Sequence, residues 1–214
     1  MSTTFREISS TDDVLWESWK SIYLASFPAH ERMTVAYFEG VLAAPLDDGA
    51  GRHMLAMVDE ANQSDVQGIL YFETDREARI SFLWYLAIRD DLRNQRLGPA
   101  LYAEVRNRAE SEGLDLLVFE VEIPELAAAH SYLDGEIAAR RIRWYQRQGA
   151  LLVKGVEYYQ DVDSTDERTL MYVMVEYIGT SPGPDALYQR LETYFAGSIS
   201  KLGPVSLNGL GESV

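Results

Sequence analysis

Residues 78–88 constrain the fold more than any other stretch of this sequence. They are apolar almost throughout, and a short charged segment, Arg89-Asp90-Asp91-Leu92-Arg93, separates them from Asn94-Gln95-Arg96-Leu97-Gly98-Pro99-Ala100-Leu101. A bounded apolar run of this kind fits a strand buried on both faces, which requires layers above and below its sheet. Leu97, Leu101, Val105 and Ala109 then mark one face of a helix. The start of that helix offers N–H groups without intrahelical acceptors and the positive end of the helix dipole, a seat for phosphate. Gly98 lets the backbone approach an anion, Ala100 keeps the helix slim there, and Arg93 and Arg96 add charge.

The rest of the chain alternates strands and helices. Strands are predicted over 4–8, 53–58, 66–73, 116–123, 151–159 and 169–178. A helix is predicted to begin at Ser10-Thr11-Asp12-Asp13, whose short oxygen-bearing side chains suit a cap, and to run until Pro28 breaks it. Further helices are predicted over 31–42, from Leu97 to a stop at Gly113, over 136–148 closed by Gly149, and over 184–195. Residues 124–135 read as a loop with some helix, 161–168 as a polar loop, and the Gly- and Ser-rich stretch from Gly197 as a mobile tail. The pattern implies an α/β or α+β fold with a mixed central sheet of about six to seven strands and helices on both faces. A single domain is expected over 1–180, with a C-terminal helix and tail over 181–214.

Composition narrows the function. A net charge of −15 argues against binding nucleic acid or anionic membranes through a basic face. No cysteine is present, which excludes a disulfide framework and a thiol nucleophile and fits a cytoplasmic location. No apolar run is long enough to span a bilayer, and residues 1–10 lack the apolar stretch of a signal peptide. His30, His53 and His130 do not fall at metal-ligand spacing, so no metal is expected. Gly179-Thr180-Ser181-Pro182-Gly183 matches the serine-hydrolase pattern Gly-x-Ser-x-Gly, but Pro182 lacks the N–H that an oxyanion hole needs there, and every histidine precedes Ser181.

The segment Tyr85-Leu86-Ala87-Ile88 followed by Gln95-Arg96-Leu97-Gly98-Pro99-Ala100 resembles the acetyl-CoA motif of the GNAT (GCN5-related) N-acetyltransferase family, Gln/Arg-x-x-Gly-x-Gly/Ala after a strand ending in Leu-Ala-Val. The resemblance implies a splayed strand pair holding coenzyme A. Leu86, Ala87 and Ile88 would pair with the pantetheine arm, and Arg93, Asn94, Gln95, Arg96, Leu97, Gly98, Pro99 and Ala100 would cradle the pyrophosphate. Two departures stand out. Arg96 occupies a position where the family often has Gly, and Pro99 removes an N–H donor while suiting the first turn of a helix.

A second stretch, Arg140-Arg141-Ile142-Arg143-Trp144-Tyr145-Gln146-Arg147-Gln148-Gly149-Ala150, resembles the family's later motif, aromatic-Tyr-x-x-x-Gly. By that resemblance Tyr145 sits near the cofactor sulfur and can protonate the departing thiolate. Trp144 reads as a core aromatic. Among the four arginines, Arg141 is carried as a phosphate contact. Between the motifs, Glu120 and Glu122 alternate with Phe119 and Val121, which puts both carboxylates on one strand face. Many family members carry a Glu base on the fourth strand; Trp84 stands near that position here, so the base falls to Glu120 or Glu122. Phe27-Pro28-Ala29-His30-Glu31-Arg32 resembles a segment of a bacterial subgroup; Glu31 and Arg32 are weaker candidates for the substrate side and are expected to order a helix start.

These readings imply direct transfer of an acetyl group from acetyl-CoA, as co-substrate, to a primary amine on a small molecule or peptide. A homodimer is compatible with them. The alternative is a non-catalytic acyl-CoA-binding sensor or interaction module with the same fold.

Overall fold

The computed structural model describes residues 2–44, 51–129, 135–160, 168–209 and 211. The chain runs β1 (Thr3–Glu7), α1 (Trp16–Ser26), α2 (Val35–Ala43), β2 (Gly51–Asp59), β3 (Val66–Asp75), β4 (Ile80–Ile88), α3 (Gly98–Ser111), β5 (Leu116–Glu122), α4 (Pro124–Ala129), α5 (Gly135–Gln148), β6 (Leu151–Gln160), β7 (Thr169–Tyr177), α6 (Pro184–Phe195) and β8 (Ile199–Asn208). Single 3-10 turns at Ala29–Glu31 and Asp90–Leu92 precede α2 and α3. The His30 side chain, His130 and residues 161–167 of the expected polar loop lie outside the described residues. No described helix is long and apolar enough to cross a membrane.

All eight strands join one mixed sheet in the order β1-β2-β3-β4-β5-β7-β6-β8. Only β4 and β5 pair in parallel; every other neighbour is antiparallel. Trp19, Tyr23 and Phe38 of α1 and α2 pack on Ala56, Ile69, Tyr71 and Tyr85. Leu187 and Leu191 of α6 pack on Phe82, Val118 and Val173 of the same sheet face. Leu101 and Val105 of α3 and Ile142 of α5 cover the other face, against Leu70, Leu83, Leu117 and Met174. Burial on both sides explains the unbroken apolar run in β4.

Register decides which face each β4 residue meets. Tyr71 of β3 opposes Tyr85 while the next residue, Phe72, opposes Leu83, so Trp84 is the extra residue of a β-bulge. A one-residue slip exchanges the faces of everything beyond it. Ile80 and Phe82 before the bulge therefore share a face with Tyr85 and Ala87 after it, and Leu83 shares the other with Leu86 and Ile88.

Three expectations change at this level. The helix expected to start at Ser10-Thr11-Asp12-Asp13 begins at Trp16, with Leu15 at the cap position and no side-chain cap hydrogen bond. The helix expected from residue 31 begins at Val35, because Thr34 is the cap: its Oγ1 accepts the N–H of Tyr37 at 3.2 Å. Glu31 is left in the 3-10 turn before it. The stretch expected as a mobile tail forms β8, antiparallel to β6. Gly155 makes this possible: it has φ of 81°, and a β-carbon there would lie 2.3 Å from the carbonyl oxygen of Pro204. Ile199 and Val205 of β8 are buried under α6, and Pro204 suits an edge strand, where one side of the ladder is unpaired.

Candidate active site

β4 and β5 pair from Ile80 opposite Leu116 to Leu83 opposite Phe119, and no further. Beyond that point β4 continues along β3 to Ile88, and β5 continues along β7 to Glu122. The two strands part at the Trp84 bulge, which bends β4 away. The result is a V-shaped cleft of about 590 Å³, with one edge of β4 along it that is unpaired among the described residues. Ten of the residues expected at the cofactor line this cleft: Leu86, Ala87, Ile88, Arg93, Asn94, Arg96, Leu97, Gly98, Pro99 and Arg141. Gln95 and Ala100 do not; the Gln95 side chain points out and donates to the Asp91 carbonyl at 3.4 Å. All three expected catalytic residues, Glu120, Glu122 and Tyr145, line it.

One arm of the cleft is built for an anion. Asn94 and Arg96 adopt left-handed backbone, with φ of 64° and 63°, and Leu97 returns to the right-handed region before α3 begins. Alternation of this kind turns successive N–H groups toward one side and forms a concavity for anions. It also accounts for the glycine that the family often has where this chain has Arg96. In the first turn of α3 Pro99 supplies no N–H and Ala100 donates to the Leu97 carbonyl at 3.1 Å, which leaves the N–H of Gly98 without an acceptor among the described residues. Arg93 is paired with Asp90 at 2.6 Å. Arg96, Arg140 and Arg147 line the cleft and form no ion pair among the described residues, although the chain carries a net charge of −15. A β-carbon on Gly98 would stand 3.2 Å from Cζ2 of Trp144, so this glycine also admits α5 to the start of α3.

Tyr145 covers the apex. Its ring packs on Phe119, the last β5 residue paired to β4, at 4.3 Å between centroids, and on Trp144 at 4.9 Å. Burial pushes its hydroxyl up to about 12, against the pull of Arg141.

The other arm is acidic. Glu120 and Glu122 emerge from the end of β5, and Glu31 joins them from the turn between α1 and α2. Burial pushes Glu31 up to about 7, with the Glu122 charge adding to it and Arg141 opposing it. Burial likewise pushes Glu120 up to about 7, despite hydrogen bonds from Tyr158 and Gln160. Glu122 accepts a hydrogen bond from Nη1 of Arg141. Arg141, expected at the cofactor phosphates, is thus held among the carboxylates. Burial opposes its charge, but Glu122, Tyr145 and Glu31 raise it nonetheless.

Several cleft residues carried little signal in the sequence. Gln160 ends β6 and donates to Glu120; in the sequence it is one polar residue at a strand end. Phe27 stood out only through the resemblance of residues 27–32, and Met171 only as part of the strand predicted over 169–178. Glu31, read from the sequence as a weaker candidate for the substrate side that would order a helix start, lines the cleft, while Thr34 takes the cap. Ser181, in the rejected hydrolase pattern, does not line the cleft. Among the described residues no group of three or more His, Asp or Glu side chains is arranged to hold a metal.

Comparison with known proteins agrees with this geometry. The family model for the acetyltransferase (GNAT) family matches residues 15–134, and the chain belongs to that family. Solved structures share the fold. A GNAT-family protein from Bacteroides thetaiotaomicron superposes with a TM-score of 0.62 at 21% identity, covering 89% of this chain and 94% of its own. An aminoglycoside 6'-N-acetyltransferase complexed with coenzyme A gives 0.58 at 11% identity, covering 84% and 99%. The ribosomal-protein-S18-alanine N-acetyltransferase from Escherichia coli gives 0.54 at 17% identity, covering 85% and 97%. No curated protein matches the sequence.

Proposed function

We propose that this protein transfers an acetyl group from acetyl-CoA directly to a primary amine, in the cytoplasm. The observation that carries the reading is the polarity of the cleft, with a helix start and the arginines Arg96, Arg140 and Arg147, which form no ion pair among the described residues, on one arm, buried carboxylates on the other, and Tyr145 at the apex. When bound, acetyl-CoA supplies an acetyl group activated as a thioester; a C–S bond is exchanged for a C–N bond.

The residues present fit that group. The concavity at Asn94 to Gly98 and the cations of Arg96, Arg140 and Arg147 suit its phosphates. The open edge of β4 over Leu86, Ala87 and Ile88 suits its amides, and N–H groups there can steady the carbonyl oxygen as charge develops. Glu120 takes the proton of the attacking amine, because an ammonium has no lone pair. It is preferred to Glu122 because Glu122 is held by the Arg141 guanidinium, whereas Glu120 accepts from the neutral amide of Gln160. Tyr145 keeps its proton at neutral pH and gives it to the departing thiolate. With no cysteine in the chain, no acyl-thiol intermediate on the protein is invoked.

The test is thiol release from acetyl-CoA that depends on an added amine, beside calorimetric titration with desulfo-CoA. Binding with amine-dependent release is the expected result. Binding without release to any amine would favour a non-catalytic acyl-CoA-binding module, a reading to which Pro99 lends some weight by removing one N–H donor.

A further inference from the structure

The end of β5 does not hold its carboxylate alone. Glu120 opposes Val173 of β7, and β6 lies beyond β7 in the sheet, where Tyr158 opposes Met171 and Gln160 opposes Thr169. Register decides which face of β6 meets the acidic arm. Between Leu152 opposite Met174 and Tyr158 opposite Met171, β6 takes six steps while β7 takes three. An odd excess exchanges the faces of everything beyond it. Leu152 accordingly packs on the side of α3 and α5, whereas Tyr158 packs on the other side with Val118 and Leu187. Gly155, within the excess, has the left-handed backbone, with φ of 81°, that such a bulge uses.

Gln160 follows Tyr158 by two residues and so shares its face. Both side chains hydrogen-bond the Glu120 carboxylate, Tyr158 through its hydroxyl and Gln160 through its amide nitrogen. Both are buried. Gln160 lines the cleft and Tyr158 does not, so Tyr158 meets Glu120 from behind. The C-terminal segment fixes Tyr158 in turn: its ring lies 4.5 Å from that of Phe195 on α6, and its backbone is paired with Ile199 of β8.

The other groups around Glu120 do not favour its charged form. Glu31, from the turn before α2, and Glu122, on β5, act on it with the same sign. Tyr85 of β4 and Tyr194 of α6 are phenols that burial keeps protonated, and Arg141 of α5 is bonded to Glu122. Hydrogen bonds to the ionised form are what favour a buried carboxylate. Two donors from one strand also fix the direction in which it points.

We propose that Tyr158 and Gln160 are positioning residues for the transfer step, holding the Glu120 carboxylate ionised and aimed at the attacking amine. The proposal rests on the reading of Glu120 as the base, and both residues act through it.

The experiment follows the Glu120 carboxyl directly and through catalysis. Carbon-13 NMR of protein labelled at the glutamate side-chain carboxyls, with the Glu120 resonance assigned by its loss in Glu120→Gln, gives its titration whether or not the protein turns over. Thiol release against pH gives the inflection in kcat/KM. Tyr158→Phe keeps the ring on Phe195, and Gln160→Met keeps the length of the side chain. Each removes a donor to the charged form, so each should move both midpoints up by about one pH unit, the scale of one hydrogen bond to a charged group. At a fixed pH near 7, kcat should fall by more than KM rises. Unmoved NMR midpoints in both variants would overturn the positioning role and leave acetyl transfer standing. An NMR midpoint that moves while the kcat/KM inflection stays, or while no amine gives thiol release, would uphold the contact and sink Glu120 as the base.

Discussion

Arg141 of α5 donates a hydrogen bond to the Glu122 carboxylate at the end of β5. Glu122 shares a sheet face with Leu116 and Val118, whereas α5 packs on the opposite face. The pair therefore passes through the gap that opens between β4 and β5, and it joins the two layers where the sheet itself does not. Arg141→Met should leave the buried Glu122 carboxylate without its donor and lower stability by about 2 kcal/mol. Adding Glu122→Gln should recover most of the loss. Urea midpoints above pH 7 for the two variants and the parent would measure this; equal midpoints in all three would show that the pair contributes nothing.

Tyr145→Phe removes the proton donor but keeps the ring on Phe119. Turnover should fall by about 100-fold or more, with little change in the affinity for coenzyme A. A variant with parental kcat would exclude the hydroxyl from the reaction.

The Glu120 carboxyl shifts from 4.5 to about 7, chiefly through burial. For catalysis, the base form appears as pH rises, so kcat/KM should climb through an inflection near 7, and Glu120→Gln should abolish that limb. Glu122→Gln, which removes a neighbouring negative charge, should move the inflection down. For stability the sign is opposite. The folded protein holds a proton that the unfolded chain has already lost, so stability falls as pH rises from about 4.5 through 7. Glu120→Gln should reduce that fall by on the order of 3 kcal/mol, with the similar but separate contribution of Glu31 remaining. Melting temperatures across this window would show it, and parallel curves for parent and variant would contradict it.

Gly98→Glu should abolish calorimetric binding of coenzyme A, because it adds a negative charge at the anion seat and drives a side chain into Trp144, 3.2 Å from the site of its β-carbon. Affinity equal to that of the parent would place the cofactor elsewhere.

Arg96 holds a left-handed backbone with φ of 63°. Arg96→Val should destabilise the protein by about 1–2 kcal/mol relative to Arg96→Gly, because a β-branched side chain tolerates that region least. Both should weaken coenzyme A binding through loss of the cation. Identical melting temperatures for the two variants would mean that the loop relaxes out of the left-handed conformation.

The sequence alone determined the succession of elements, because apolar periodicity, glycine stops and helix starts act over a few residues. Strand β4, the loop after it, the helix start near Leu97 and the paired carboxylates of β5 were legible in this way, whereas Tyr145 was singled out by resemblance to the family's later motif. The tertiary structure decided what distant residues do to one another. The Trp84 bulge sets which face Leu86 and Ile88 occupy, because register depends on the partner strand. Glu31 enters the acidic arm because Thr34, not Glu31, caps α2. Arg141 turns from phosphates to Glu122 because two layers meet through an opening that exists only after β4 and β5 diverge. Strand β8 exists because Gly155 lets the Pro204 backbone approach β6. Each of these is a contact between segments far apart in the chain, fixed by packing and charge.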